Sequence, residues 1–267
     1  MNIQRWVSGL LGFPLLAAVL ILGNKLVINI MFTIVAIMCL YEYFSCFKGK
    51  AKPIVQVGFV SALIIPFIHI LDVSQYKYLL LVIPVALVWI FTEVIISEMK
   101  ISVYDVAVTI LGIIYIVGLM IFLPLTVEME HGKLLVWYSI LTAWGTDLFA
   151  YLIGKKWGKH KFTSVSPKKS IEGCIGGLIG GTLLVVVYTY ILNTYLNFNI
   201  SYTVIIPIAI VLSAISQIGD LAASTIKRYA GVKDFSNLIP GHGGMLDRLD
   251  SVLFVAPFVF FLFNIIL

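Results

Sequence analysis

Apolar stretches of about 20 residues recur from one end of this 267-residue chain to the other, and that spacing constrains it more than any single motif does. The hydrocarbon core of a bilayer is about 30 Å thick and an α-helix rises about 1.5 Å per residue, so each such stretch is the length of one crossing. Nine stretches reach or approach it, at about 6–23, 26–46, 54–72, 77–97, 103–125, 133–153, 171–195, 201–224 and 251–267. The first is preceded by Arg5, has no small-residue cleavage site and runs straight into further apolar segments, so it reads as a retained span rather than a leader. A chain that is 61% hydrophobic and 12% charged lies outside the balance of a soluble domain. The expectation is an all-α fold: a polytopic integral membrane protein of about nine transmembrane helices with a cytoplasmic amino terminus.

The basic residues test that orientation. With the amino terminus inside, Arg5, Lys48, Lys50, Lys52, Lys100, Lys155, Lys156, Lys159, Lys161, Lys168, Lys169, Lys227, Arg228, Lys233 and Arg248 face the cytoplasm, and of the 18 bases only Lys25, Lys77 and Lys133 fall outside. That asymmetry satisfies the positive-inside rule and puts the two longest loops, about 154–170 and 225–250, on the cytoplasmic side. The net charge of +5 does not signal nucleic-acid binding, because the bases sit in short juxtamembrane loops. Anionic headgroups or phosphates are the natural partners. Cys39, Cys46 and Cys174 lie in apolar segments without pairing or ligand spacing and read as small buried hydrophobes.

The chain changes character near residue 133. Residues 1–132 are mainly apolar spans, expected to act as scaffold and in oligomerisation; residues 133–267 accumulate charged, Gly-rich and Ser-rich elements and are expected to carry the chemistry. A carboxylate inside a span costs about 2.5–3.5 kcal/mol on insertion scales, so each intramembrane acid is a functional suspect. Glu42 and Glu93 fall near cytoplasmic helix ends, where interfacial water or a basic loop satisfies an acid, and Asp105 and Glu172 fall near helix starts, where the dipole does so. Asp147 and Asp220 are different. Asp147, Tyr151 and Lys155 share one helix face running toward the cytoplasm. Ser213, Ser216, Gln217, Asp220, Ser224, Lys227 and Arg228 follow steps of three and four on another.

After that second stripe come Lys233-Asp234, Ile239-Pro240-Gly241-His242-Gly243-Gly244 and Asp247-Arg248-Leu249-Asp250. Proline and three glycines rule against a helix over 239–244 and allow close approach of backbone to a ligand, with amides able to cradle phosphate oxygens. Asp247 and Asp250, three apart, project on one face where the chain resumes as a helix. With Asp220 they are hard oxygen ligands of the kind that hold Mg²⁺.

The run from Ser224-Thr225-Ile226-Lys227-Arg228 through Lys233-Asp234 and Pro240-Gly241-His242-Gly243-Gly244 to Asp247-Arg248-Leu249-Asp250 resembles the long motif of the phosphatidate cytidylyltransferase, or CDP-diacylglycerol synthase, family over 27 residues. Asp147-Leu148-Phe149-Ala150-Tyr151 with Gly154-Lys155 and Gly158-Lys159 resembles the family's upstream element, and Ser166-Pro167-Lys168-Lys169 resembles its Ser-Pro-Lys-Lys turn, with Ser170 and Ile171 standing where Thr and often Trp are expected.

The resemblance implies attack by the phosphate of phosphatidic acid on the α-phosphorus of CTP, with release of pyrophosphate and formation of CDP-diacylglycerol. Carried over, it makes Asp220 and Asp247 ligands of a catalytic Mg²⁺, with Asp250 and Asp147 helping to organise a second cation, Mg²⁺ or K⁺. Lys227, Arg228, Lys233, Arg248, Lys168, Lys169 and Lys155 are then candidates for holding triphosphate and phosphatidate, with Ser224, Gly241, Gly243 and Gly244 lining the substrates. His242 is a candidate for proton transfer or phosphate contact. A homodimer in a bacterial-type inner membrane, its active site facing the cytoplasm, is the implied setting. A CTP-dependent polyprenol kinase and a cation-coupled transporter are the alternatives. The transporter is disfavoured because the polar residues gather at one membrane face rather than in paired broken helices at the midplane.

Overall fold

The computed structural model describes residues 14–71, 73–239 and 243–266, with the backbone alone at 73, 74 and 76. Arg5, the first part of the 6–23 stretch, and Pro240, Gly241 and His242 therefore lie outside the described residues. Within them the fold is all-helical, with isolated bridges but no strand. Among the described residues six helices are long and apolar enough to cross a membrane: α2 (Lys25–Cys46), α4 (Lys77–Ile96), α5 (Val103–Glu128), α7 (Ile171–Leu196), α8 (Tyr202–Ala230) and α9 (Leu246–Ile266). Three further helices coincide with the remaining apolar stretches. These are α1 (14–22), the shorter α3 (Val55–Ile70), and α6 (Gly132–Trp157), whose 26 residues include Lys133 and Asp147.

The chain divides into two compact units. One comprises Met1–Lys133 together with Tyr229–Arg248; the other comprises Leu134–Arg228 and Leu249–Leu267.

In the first unit α2 is the central element. Asn24 caps it by accepting from the Val27 amide at 2.8 Å, and its buried side includes Ile28, Phe32, Ala36, Leu40, Tyr43 and Phe44. Two glycines let neighbours reach it. A Cβ on Gly58 of α3 would stand 2.8 Å from the Phe44 ring, and one on Gly112 of α5 would stand 2.8 Å from the Tyr43 ring. Pro66 opens a 3₁₀ turn over Ile65–Ile70, so α3 is not one regular helix. Helices α3, α4 and α5 share a cluster of Ile54, Val57, Ala86, Ile90, Val106 and Ile113. The acid near the start of α5 is accounted for locally: Ser102 and Asp105 form a capping box, and the second Asp105 oxygen accepts from the Lys52 amide at 2.5 Å.

In the second unit the glycines of α7 decide how close helices come. Gly173 and Gly177 lie against α6 so tightly that a Cβ would stand 2.8 Å from the Ala150 carbonyl oxygen and 2.9 Å from that of Thr146. This is the small-residue contact that lets membrane helices pack backbone to backbone. Helices α8 and α9 meet the same way at Gly219, whose Cβ would be 2.9 Å from the Asp250 carbonyl oxygen. Farther along, Tyr138 of α6 packs on Phe263 of α9 and Tyr188 of α7 with ring centroids 4.8 and 5.1 Å apart, and its hydroxyl meets Thr189 at 2.9 Å. A close glycine-lined end and an aromatic end thus fix α6 to α9 as a bundle.

Candidate active site

The second unit gathers three carboxylates. Asp250, in the second turn of α9, is 5% exposed, and its Oδ1 accepts from the Ser251 amide at 2.7 Å. The Ser251 hydroxyl is placed to donate either to Asp250 Oδ1 or to Asp147 Oδ2 of α6, each 3.3 Å away. Asp220 of α8 and Asp147 both lie close enough for their charges to act on Asp250, and so does the buried ammonium of Lys227. Asp220 is itself ion-paired with Lys169. Like charges brought this near in a poorly hydrated place repel, so the arrangement calls for positive charge among them. Lys169 and Lys227 supply two such charges from two different elements.

Lys169 reaches Asp220 because its loop is tied down. The amide of Phe162 donates to the Lys169 carbonyl at 2.9 Å, that of Lys169 to Ser166 at 3.0 Å, and that of Ile171 to His160 at 2.9 Å, so the segment doubles back as a narrow hairpin. Ser170 then caps α7 by accepting from the Gly173 amide at 3.1 Å. Glu172 accepts from the Lys159 and His160 amides at 3.1 and 3.3 Å and meets His160 Nδ1 at 2.6 Å, holding the hairpin to the helix start. Glu172 therefore serves the loop's shape, in keeping with its place at a helix start. Gly158 is required beside it, since a Cβ there would fall 2.6 Å from the Ser170 hydroxyl.

The other basic candidates of this unit are spread more widely. Ser224 is buried one turn from Lys227 on α8, Arg228 and Lys168 are exposed, and Lys155 is exposed and lies over the Tyr151 ring at 5.8 Å. The stripe of α8 is thus realised as one face, from buried Ser213 and Ser216 through Asp220 and Ser224 to Lys227.

The first unit holds the glycine turn. Asp247 Oδ2 accepts from the amides of Phe235 and Gly244 at 2.9 and 3.0 Å. Ile239 donates to the Gly243 carbonyl at 2.9 Å, closing the turn, and Gly243 sits at φ +82°, where a side chain is strained. Lys233 and Arg248 are exposed on either side of it. Upstream, Lys50 donates to the Tyr229 carbonyl at 3.0 Å, a cation on the last turn of α8. Glu42, which the sequence left to water or a basic loop, is instead buried against this turn and accepts from three of its donors. No short-range pattern could have shown this, because the contact is made 204 residues away in the chain. Among the described residues no three or more His, Cys, Asp or Glu side chains stand in the geometry of a formed metal site.

The sequence model of the cytidylyltransferase family matches residues 3–266. This chain belongs to that family. Among its members, it is 34% identical over 257 residues to a protein of Staphylococcus aureus (strain COL) named phosphatidate cytidylyltransferase, covering 93% of this chain and 92% of the relative. Proteins of the same name from Staphylococcus haemolyticus and Bacillus subtilis are 39% and 40% identical over 175 and 134 residues, covering 65% and 50% of this chain. As a cytidylyltransferase the chain must bring together a nucleoside triphosphate and an acceptor. The described residues supply acids with opposed ammonium groups in one unit, and a carboxylate-pinned glycine turn flanked by bases in the other.

Proposed function

We infer that this chain is a phosphatidate cytidylyltransferase, which transfers CMP from CTP to phosphatidic acid and so makes CDP-diacylglycerol and pyrophosphate in phospholipid biosynthesis. The observation that carries it is the likeness to the S. aureus protein of that name over nearly the whole of both chains. The 27-residue motif from Ser224 to Asp250 supports it from within the sequence.

The reaction asks for little covalent help. The lipid phosphate carries an ionised oxygen near neutral pH, so positioning and charge neutralisation around an in-line displacement do most of the work. Lys169 and Lys227 are fixed positive charges beside Asp220 and Asp250, suited to phosphate oxygens. Lys155, Lys168, Arg228, Lys233 and Arg248 are the exposed bases proposed to take the triphosphate and the lipid headgroup, and Ser224, Gly241, Gly243 and Gly244 are proposed to contact the substrates as well. Proton transfer or a phosphate contact is proposed for His242.

What supports a divalent cation is that Asp220 and Asp147 lie near enough for their charges to act on Asp250, and carboxylates are hard oxygen donors that such a cation stabilises. Asp220, Asp250 and Asp147 are proposed to hold Mg²⁺, and a second cation, Mg²⁺ or K⁺, is proposed for the same acids. The part of Asp247 rests on its spacing of three residues from Asp250 along α9. Such an ion, when bound, would neutralise charge on the attacking and leaving oxygens.

The finer topology is also a proposal: nine spans, a cytoplasmic amino terminus, a cytoplasmic active site in a bacterial-type inner membrane, and a homodimer. The distribution of lysine and arginine across the loops supports the orientation, the apolar stretches support the number of spans, and the resemblance to the family supports the homodimer. Residues 1–132 are proposed as scaffold and oligomerisation region, and 133–267 as the catalytic region.

Purified protein given phosphatidic acid, Mg²⁺ and CTP labelled at the α-phosphate is expected to yield labelled lipid, and chelation of the metal to stop it. Lipid labelled only from γ-labelled CTP would identify a kinase instead, and CTP-independent solute flux in liposomes would identify a transporter.

A further inference from the structure

The segment from Phe235 to Leu246 joins α8 to α9, and two carboxylates hold it. One follows it directly in the first turn of α9: Asp247 takes the amides of Phe235 and Gly244. The other comes from α2. Glu42 is 1% exposed; its Oε1 accepts from the Ser236 hydroxyl at 2.7 Å and the Met245 amide at 2.8 Å, and its Oε2 accepts from the Leu246 amide at 2.8 Å. The amides of residues 244, 245 and 246, which open α9 and have no partner within the helix, are thus all committed to carboxylates. The negative charge meets the positive end of α9. Residue 244 has to be glycine for this, since a Cβ there would stand 2.5 Å from Glu42 Oε2.

An apolar contact would anchor a loop without the cost of burying a charge. What a carboxylate with three aligned donors adds is direction: it fixes the backbone of 244–246 and hence the way Asp247 and Arg248 leave the start of α9. We propose that Glu42 is a positioning residue for the transfer reaction, holding the glycine turn and the first turn of α9 in the register that presents Asp247 and Arg248. This rests on the reading of those two residues as parts of the active site. The fourth acid of the motif region therefore comes from the amino-terminal spans, outside the motif.

The test uses purified full-length protein and the variants Glu42→Gln, Glu42→Asp, Ser236→Ala and Asp247→Asn. Glu42→Gln keeps the shape but turns an acceptor into a donor toward the amides. Its kcat is expected to fall about 10²-fold, the scale of a 1 Å misplacement, while the KM for CTP moves by less than about threefold. Amide exchange over 235–246, measured without substrate or metal, should quicken in the same variant while α2 and α5 keep their protection. Glu42→Asp should recover part of the rate, and Ser236→Ala, which removes one donor of three, should show a smaller loss with locally faster exchange.

A Glu42→Gln protein with wild-type kcat and wild-type exchange overturns the proposal, as does a loss of rate matched by a uniform loss of protection throughout the fold. Should that variant fail to insert, Ser236→Ala decides, and unchanged rate and exchange there are equally fatal. An active Asp247→Asn protein refutes the reading on which the proposal rests. An inactive one beside an unaffected Glu42→Gln refutes only the role of Glu42.

Discussion

The two units of this membrane protein use buried acids in opposite ways. In the first, Glu42, Asp105 and Asp247 all point at backbone amides: those of residues 245 and 246, of Lys52 and Ser102, and of Phe235 and Gly244. There the carboxylates hold loops at helix ends, and of the three only Asp247 is also proposed to take part in the reaction. In the second, Asp147, Asp220 and Asp250 face one another and the ammonium groups of Lys169 and Lys227. The difference teaches that an acid in a membrane protein is not identified as chemical by burial alone; what separates the two sets is whether a carboxylate is satisfied mainly by backbone amides of a loop, as Glu42, Asp105 and Asp247 are, or stands against other carboxylates and ammonium groups, as Asp220 and Asp250 do.

Four substitutions would break or sharpen that contrast. The largest effect is expected from Asp220→Asn and Asp250→Asn. Each removes a charge without changing shape, and each should lower kcat by on the order of 10²–10³-fold, the scale of losing one preorganised charge-stabilising group, with insertion and thermal midpoint kept. Near-wild-type turnover in either would leave the second unit's acids no more chemical than those of the first. Next, Lys169→Ala takes away the partner of Asp220. A charge-assisted contact to phosphate is worth about 1.5–3 kcal/mol, so kcat/KM is expected to drop about tenfold or more, chiefly through KM. An unchanged KM for both CTP and phosphatidate would count against it. The smallest effect on activity belongs to Asp105→Ala. It should cost about 1–2 kcal/mol of stability through the lost cap, read as a lower melting temperature in detergent, while activity per folded molecule stays the same. If turnover per folded molecule fell instead, Asp105 would not be purely structural.

Much of this was legible without coordinates, because it is written in short-range pattern. Helix α8 runs to Ala230, far enough to carry Ser213 to Lys227 on one face, as steps of three and four require. Helix α9 begins at Leu246, five residues before the apolar run at Ser251, so Asp247 and Asp250 stand on its first two turns and the spacing of three becomes a shared face. Asp105 beside Ser102 was recognisable as a helix start, and a capping box is what it forms. Tyr151 and Lys155 lie one turn apart and do meet, yet the lysine rests on the ring rather than on an acid, a choice that a stripe of polar residues does not encode.

The sequence by itself determined an all-helical membrane enzyme of the cytidylyltransferase family, since hydropathy and motif spacing are properties of neighbouring residues and a bilayer tolerates few backbone arrangements. Tertiary structure decided which charges meet: Lys169 with Asp220, Ser251 between Asp147 and Asp250, Glu42 with the start of α9. Those pairings depend on how far glycines such as Gly58, Gly112, Gly173 and Gly177 let helices approach, and contact between distant segments is set by packing, which no local pattern records.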